Sequence, residues 1–327
     1  MPPPLQDALI ETLLRVEQTV PRAWVHKNAL DNVLVTEIRA CSDDHFLCTG
    51  RLPTAHGFFN DPGRRPHTDI LFYTELGRQA SLAISHAFLN VALDDVFIFE
   101  GSSAAVADST WRSAHGSHDS VAIDIRIQDL ARRKSNAVSR VVAEHTMWIG
   151  TQPVFHGTGA FTIQPTALFQ RLRKRSGTLP VEQWNEIIHE RASGVPHVSA
   201  DNITISPPYG TGNPNQLSAS VIVDPMHPYF FDHACDHVPG MLLLEACAQL
   251  AVAAYRETTG LKALGISAYA ASFTQFVERG LPATLTAQVN AHHAASGIPP
   301  LSVTVAMSQM GVVCGTTTIL LALPAGN

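Results

Sequence analysis

The residues whose types and spacing could do chemistry lie in one stretch, running from His227 through Asp232, His233, Asp236, His237, Pro239, Gly240 and Met241 to Glu245 and Gln249. A loop with three histidines and two aspartates leads through Pro-Gly into an apolar run that carries a single acid, Glu245. An ionised carboxylate buried without partners is costly, so Glu245 must either titrate with a raised pKa or find donors. Both outcomes suit work on a hydroxyl or a carbonyl. Pro239-Gly240 lets the chain turn and brings the N–H groups of Gly240 and Met241 to a helix start, where a substrate oxygen or developing oxyanion could be held. His233 and His237 each adjoin an aspartate that could set a tautomer, making them candidate bases or donors; the bland alternative is a pair of loop histidines answering local carbonyls. A metal held by His233 and His237 is not expected, since their spacing of four matters on a helix and both precede Pro239-Gly240.

The same device occurs earlier. His67, Glu75 and Gln79 precede His237, Glu245 and Gln249 by 170 residues each, and Asp31-Asn32 matches Asp201-Asn202 at that offset. His56-Gly57-Phe58-Phe59-Asn60-Asp61 matches His227-Pro228-Tyr229-Phe230-Phe231-Asp232, shifted by one more residue. Four matched elements in one order mark an internal duplication. In the first copy Arg78 and Gln79 follow Glu75 at i+3 and i+4 and share its helix face. Glu75 could orient or deprotonate a hydroxyl beside a guanidinium that binds an anion, or the two could form a purely structural pair. Gln79 and Gln249 could fix a thioester carbonyl or cap buried backbone. His56, His67 and Asp69 are weaker counterparts of the second loop. Cys247 follows Glu245 by two and points elsewhere, so a covalent acyl-cysteine route is not expected; Cys235, in the histidine loop, is the one thiol worth testing.

These residues need elements to position them. An amphipathic helix is expected over residues 1–23, strands near Val33 to Ile38 and Phe46 to Leu52, and a long helix from about Thr68 to Leu89. Strands follow at Val96 to Phe99, Val121 to Ile127, Val138 to Trp148 and Val154 to Ile163, without further long helices. That order favours an antiparallel sheet wrapped on a helix over a parallel doubly wound sheet. A linker with a short helix spans 166–198. The second copy repeats the order, with Ile203 to Ser206, Leu217 to Val223, a helix from Met241 to Thr258 stopped by Gly260, and strands at Phe273 to Val277, Thr284 to Val289, Leu301 to Met307 and Val312 to Ala322. The domains are therefore drawn at 24–165 and 199–327.

Composition fits 327 residues in about two globular domains, with 45% hydrophobic and 15% charged residues. A net charge of −6 gives no field for nucleic acid. Five cysteines, an odd number without a CxxC pair, indicate neither a disulfide framework nor a zinc knuckle. With no signal-peptide core and no membrane-length apolar run, the expectation is a cytoplasmic protein with no membrane partner, and no cofactor is called for. The basic runs Arg132-Arg133-Lys134 and Arg171 to Arg175 read as solvated faces, with docking of an acidic carrier protein as the alternative.

Phe230-Phe231-Asp232-His233 followed by Pro239-Gly240-Met241-Leu242-Leu243-Leu244-Glu245-Ala246-Cys247-Ala248-Gln249 is similar to the histidine loop and Glu-x-x-x-Gln helix of the hotdog-fold acyl-carrier-protein dehydratases. Val25-His26-Lys27, Glu75-Leu76-Gly77-Arg78-Gln79 and the second loop together resemble the A-factor biosynthesis (AfsA) family, from about residue 24 to 322. The resemblance implies an α+β double hotdog. The activity it implies is transfer of a β-ketoacyl group from acyl carrier protein to the hydroxyl of dihydroxyacetone phosphate or a similar small phosphorylated or hydroxylated acceptor, in γ-butyrolactone biosynthesis. It further suggests that Glu75 faces His233 and that Glu245 faces the His56–His67 loop; a homo-oligomer is left open. One departure stands out. Ala248 occupies the place where the family's second copy carries Arg, so Arg78 is the one guanidinium expected at this level. A hotdog dehydratase or hydratase, and a non-catalytic acyl-ligand-binding protein, are the rival readings.

Overall fold

The computed structural model describes residues 18–62, 64, 66–107, 120–175, 190–290 and 302–322. The chain divides into two compact units, Met1–Asn60 with Arg65–Ser176, and Asp61–Arg64 with Gly177–Asn327.

In the first unit, β1 (Val35–Ala40) and β2 (His45–Arg51) form a hairpin before the helix α1 (Ile70–Phe88). Then come β3 (Val96–Val106), β4 (Ser120–Arg132), β5 (Val138–Ile149), β6 (Gln152–Gln164) and a short helix α2 (Thr166–Arg175). All strand pairs are antiparallel, in the order β1-β2-β4-β5-β6-β3. Three strands thus separate β2, which enters the helix, from β3, which leaves it, yet α1 packs on both. The sheet must curl around the helix to achieve this. Sequence explains why α1 tolerates the enclosure: every residue from Ile70 to Gly77 is buried, so the helix has no solvent face in this stretch. Each large apolar side chain so buried contributes about 1.5–3 kcal/mol. Gly50 on β2 permits the approach, since a Cβ there would meet Leu76 Cδ1 at 2.4 Å.

The second unit repeats this plan with β7 (Tyr209–Gly210), β8 (Gln216–Ser220), α3 (Gly240–Thr259), β9 (Gly265–Phe273), β10 (Ala283–Asn290), β11 (Ser302–Gln309) and β12 (Val312–Ala322). Its order, β7-β8-β10-β11-β12-β9, is that of the first unit. Period-two alternation sets the inward face: Ala283, Leu285, Ala287 and Val289 of β10 and Val303, Val305 and Met307 of β11 are buried. Gly260, at φ 70°, ends α3 in the left-handed conformation that glycine adopts freely.

Several expectations are corrected. Ile203 to Ser206 forms a single bridge, Ile205 to Val221, in place of a strand. The strand expected at Phe273 to Val277 lies earlier, because β9 needs residues 265–273 to pair along β12. Residues 1–17 of the expected leading helix and residues 176–189 of the expected linker lie outside the described residues; Arg22–Val25 is a short 3-10 turn. Arg173 is buried, so the run from Arg171 is not a uniformly solvated face.

Candidate active site

Glu75 and Glu245 are both buried, at 0% and 2% exposure, on the central helix of their respective units. In the first unit, Arg78 grips Glu75 through Nε to Oε2 at 2.7 Å and Nη2 to Oε1 at 2.9 Å. Lys27 Nζ stands 3.2 Å from Oε1, and Gln79 Nε2 donates to the same oxygen at 2.8 Å. Burial alone would raise the Glu75 pKa, but Arg78 and Lys27 hold it well below the usual carboxylate range. A carboxylate so stabilised is a weak base. Its evident work is to fix a guanidinium whose side chain keeps 21% exposure.

The second unit solves the same problem with different residues. Arg64 Nη1 donates to Glu245 Oε2 at 2.8 Å, and His197 Nε2 meets Oε1 at 2.8 Å. Gln249 Nε2 completes the set at 2.9 Å. Against the burial cost, Arg64 and His197 hold Glu245 low as well. The dilemma of the lone acid is thus resolved by donors and not by neutralisation. His197 Nδ1 meets Asp61 Oδ2 at 3.0 Å, and Arg64 Nη1 lies 2.6 Å from His197 Nε2. Asp61 also accepts from the Val198 and Ser199 N–H groups and from Asn202 Nδ2. These bonds outweigh burial and hold its carboxyl low.

Arg64 corrects the expectation that Ala248 leaves Arg78 as the one guanidinium at this level. The missing helix arginine is replaced from the loop between His56 and His67, four residues of which, Asp61–Arg64, belong to the second unit. Neither Arg64 nor His197 was singled out from sequence. For His197 a signal existed, because it follows Lys27 by the same 170 residues and the two residues meet equivalent carboxylates. Arg64 has no such signal.

Other predicted residues have structural duties. Gln79 Oε1 accepts from the Leu34 N–H and its Nε2 donates to the Asn32 carbonyl; Gln249 does the same with Thr204 and Asn202. Both amides are therefore spent on backbone and on the neighbouring Glu, which corrects their assignment to a thioester carbonyl. His56 Nδ1 accepts from the N–H groups of Phe58 and Phe59, and Nε2 donates to Asn32 Oδ1. His227 repeats that staple with Tyr229, Phe230 and Asn202. Burial pushes both rings down to about 4, so they stay neutral and hold the loop, and His56 is not placed as a substrate ligand. Asp69 is the N-cap of α1, its side chain accepting from the Leu71 N–H, which answers its sequence assignment to substrate. α3 has no such side-chain cap at Pro239, ahead of Gly240 and Met241. His67 lies in a 3-10 turn, Pro66–Thr68; Asp232 and His233 are half-buried in the second loop.

His237 lies with Cys235 and Asp236, whose donor atoms and its own all fall within 4.8 Å of one another. Among the described residues this is the group with the spacing to hold a metal ion. Cys247 is buried and its thiol is pushed up to about 12, which suits packing and not nucleophilic work.

The A-factor biosynthesis hotdog domain model matches residues 10–158 and 188–323, covering both copies. The chain belongs to this family. The tandem order of strands and the two enclosed Glu helices are thus those of an A-factor biosynthesis hotdog protein. A curated relative from Streptomyces virginiae, a 2-oxo-3-(phosphooxy)propyl 3-oxoalkanoate synthase, is 30% identical over 236 residues, covering 72% of this chain and 76% of the relative. A synthase of the same name from Streptomyces coelicolor is 27% identical over 245 residues, covering 72% and 73%. Among solved structures, an acyl-ACP thioesterase from Bacteroides thetaiotaomicron aligns over 85% of this chain and 97% of its own, at 10% identity and a TM-score of 0.47. No helix among the described residues is long and apolar enough to cross a membrane.

Proposed function

We propose that this protein transfers a β-ketoacyl group from acyl carrier protein to the hydroxyl of dihydroxyacetone phosphate or a close analogue. The relatives' name describes such a product, an ester joining a 3-oxoalkanoate to a 2-oxo-3-phosphooxypropyl group. The observation that carries the reading is the guanidinium on each buried carboxylate, Arg78 on Glu75 and Arg64 on Glu245. Arg64 supplies the guanidinium that Ala248 leaves missing from the second helix.

In this reading the two carboxylates hold the arginines, and the arginines bind the acceptor's phosphate or the acyl oxygens. The uncapped start of α3 supports a place for the thioester oxygen at the Gly240 and Met241 N–H groups. His237 manages the proton, and His233 adjoins it in the loop as a second candidate. The test is incubation with β-ketoacyl carrier protein, with and without dihydroxyacetone phosphate, read by mass spectrometry. An acyl ester of the acceptor is expected. Free acid at an unchanged rate with and without acceptor, or no ester from the β-ketoacyl carrier protein alongside loss of water from a β-hydroxyacyl one, would overturn the reading.

A further inference from the structure

The Cys235, Asp236 and His237 cluster is not used by the carboxylate clamps. Cys235 Sγ stands 3.8 Å from His237 Nδ1 and 3.9 Å from Nε2, within reach of a sulfur hydrogen bond. His237 Nδ1 donates to Asp236 Oδ1 at 2.7 Å. Cys235 and His237 are half-buried, and their surroundings are fixed. The fixing is extensive. Arg279 Nη1 donates to the Cys235 carbonyl at 3.0 Å, and its guanidinium lies 4.9 Å from the Phe231 ring centroid. The His237 ring packs at 4.6 Å on Phe276, its backbone bridges to Glu278, and the Val238 N–H donates to the Val277 carbonyl at 2.8 Å. The loop then enters α3 through Pro239-Gly240, four residues beyond the sulfur. Its repeat counterpart is informative too: the offset of 171 that relates His56 to His227 also relates Arg64 to Cys235. Arg64 is the loop residue that serves Glu245.

We propose that Cys235 is a nucleophile that receives the acyl group from the carrier thioester, with His237 carrying the proton and Asp236 orienting the imidazole. This deepens the acyl-transfer reading and rests on it. In the first step the Cys235 sulfur attacks the thioester carbonyl. A new C–S bond forms, the bond to the carrier's thiol breaks, and the departing thiolate takes the proton from His237. One thioester is exchanged for another, so no oxidant or external energy source is needed. In the second step the acceptor hydroxyl gives its proton to the now neutral His237 as its oxygen attacks the acyl-cysteine carbonyl. The ester leaves, and the thiolate and protonated His237 are restored.

Electrostatics favour this resting state. Burial works against both charges, but hydrogen bonds to Asp236 and Cys235 pull His237 up to about 9, and those from His237 draw the Cys235 thiol down. Both directions lean towards the thiolate, the form that attacks in nucleophilic cysteine chemistry. Cys48 and Cys247, both fully buried, are raised by the same burial without a histidine to offset it.

The test uses the full chain and β-ketoacyl carrier protein without acceptor. Intact mass and peptide mapping should show one acyl group on the peptide containing Cys235, discharged to ester when dihydroxyacetone phosphate is added. Cys235→Ala and Cys235→Ser should carry no adduct and lose at least about 100-fold in ester formation, and His237→Gln should slow acylation and shift its pH profile. Ester formation by wild-type protein with no adduct, or by Cys235→Ala at the wild-type rate, would overturn the nucleophile and leave acyl transfer standing. An adduct that no acceptor discharges would support the nucleophile and remove the proposed acceptor. Neither adduct nor ester would remove both. The wild-type adduct needs no variant to fold, so a misfolded substitution cannot rescue the idea.

Discussion

Replacing Arg64 by Ala leaves Glu245, 2% exposed, without its guanidinium, and leaves His197 and Gln249 to answer it. Breaking a buried ion pair by removing one partner costs about 3–5 kcal/mol, because the remaining charge stays desolvated. For a unit of this size that loss lowers the melting temperature by on the order of 10 °C. The geometry of α1 supplies the counter-experiment. Arg78, three residues after Glu75, grips it from the same helix. Ala248 stands three residues after Glu245, as Arg78 does after Glu75, and truncating Arg64 frees the Glu245 oxygen it held. Ala248→Arg in the Arg64→Ala background should therefore recover more than half of the loss. In the wild-type background the same change should destabilise, since Ala248 is buried and Arg64 already occupies the carboxylate. The assay is urea denaturation of all four proteins, arranged as a double-mutant cycle. A cost below about 1 kcal/mol for Arg64→Ala, or equal effects of Ala248→Arg in both backgrounds, would refute the substitution of one arginine for the other.

Two further outcomes follow from the hydrogen bonds and charges. Gln249→Ala removes the side-chain partner of the Thr204 N–H and of the Asn202 carbonyl and takes one donor from Glu245 Oε1, which keeps His197, and should cost about 2–4 kcal/mol of stability while leaving the Michaelis constant for the carrier thioester unchanged; a change confined to that constant would reinstate the amide as a substrate ligand. Acid should weaken the fold in two phases, seen as the urea midpoint against pH. Burial holds His145 neutral down to about 4, whereas the unfolded chain protonates near 6.5, so the unfolded state binds more protons between those values and stability falls as pH drops through them. His145 alone accounts for on the order of 3 kcal/mol, with His56 and His227 acting in the same window. Below about 4.5 the depressed Glu75 and Glu245 add a second loss. His237 acts oppositely, its contribution present below about 6.5 and lost as pH rises towards 9. A midpoint that stays flat from about pH 7 to pH 5 would contradict the buried neutral histidines.

Sequence alone determined what periodicity and repetition encode. The duplication, the two Glu-bearing helices and the antiparallel strands could be read because side-chain alternation and helix caps are local, and because two copies of one pattern confirm each other. It also held the i+3 geometry of Arg78 on Glu75, which lies within a single turn of helix. Tertiary structure decided the rest. Glu245 draws Arg64 and His197, and His197 in turn draws Asp61, from parts of the chain that no helix spacing connects, since they meet only when loop and sheet close on the helix. The same closure turned Gln79, Gln249 and His56 from candidate substrate ligands into fasteners of buried backbone, a duty His227 shares in the second loop. A side chain's chemistry can be listed from its type, but whether its donors remain for a substrate depends on which backbone groups the fold leaves unanswered beside it.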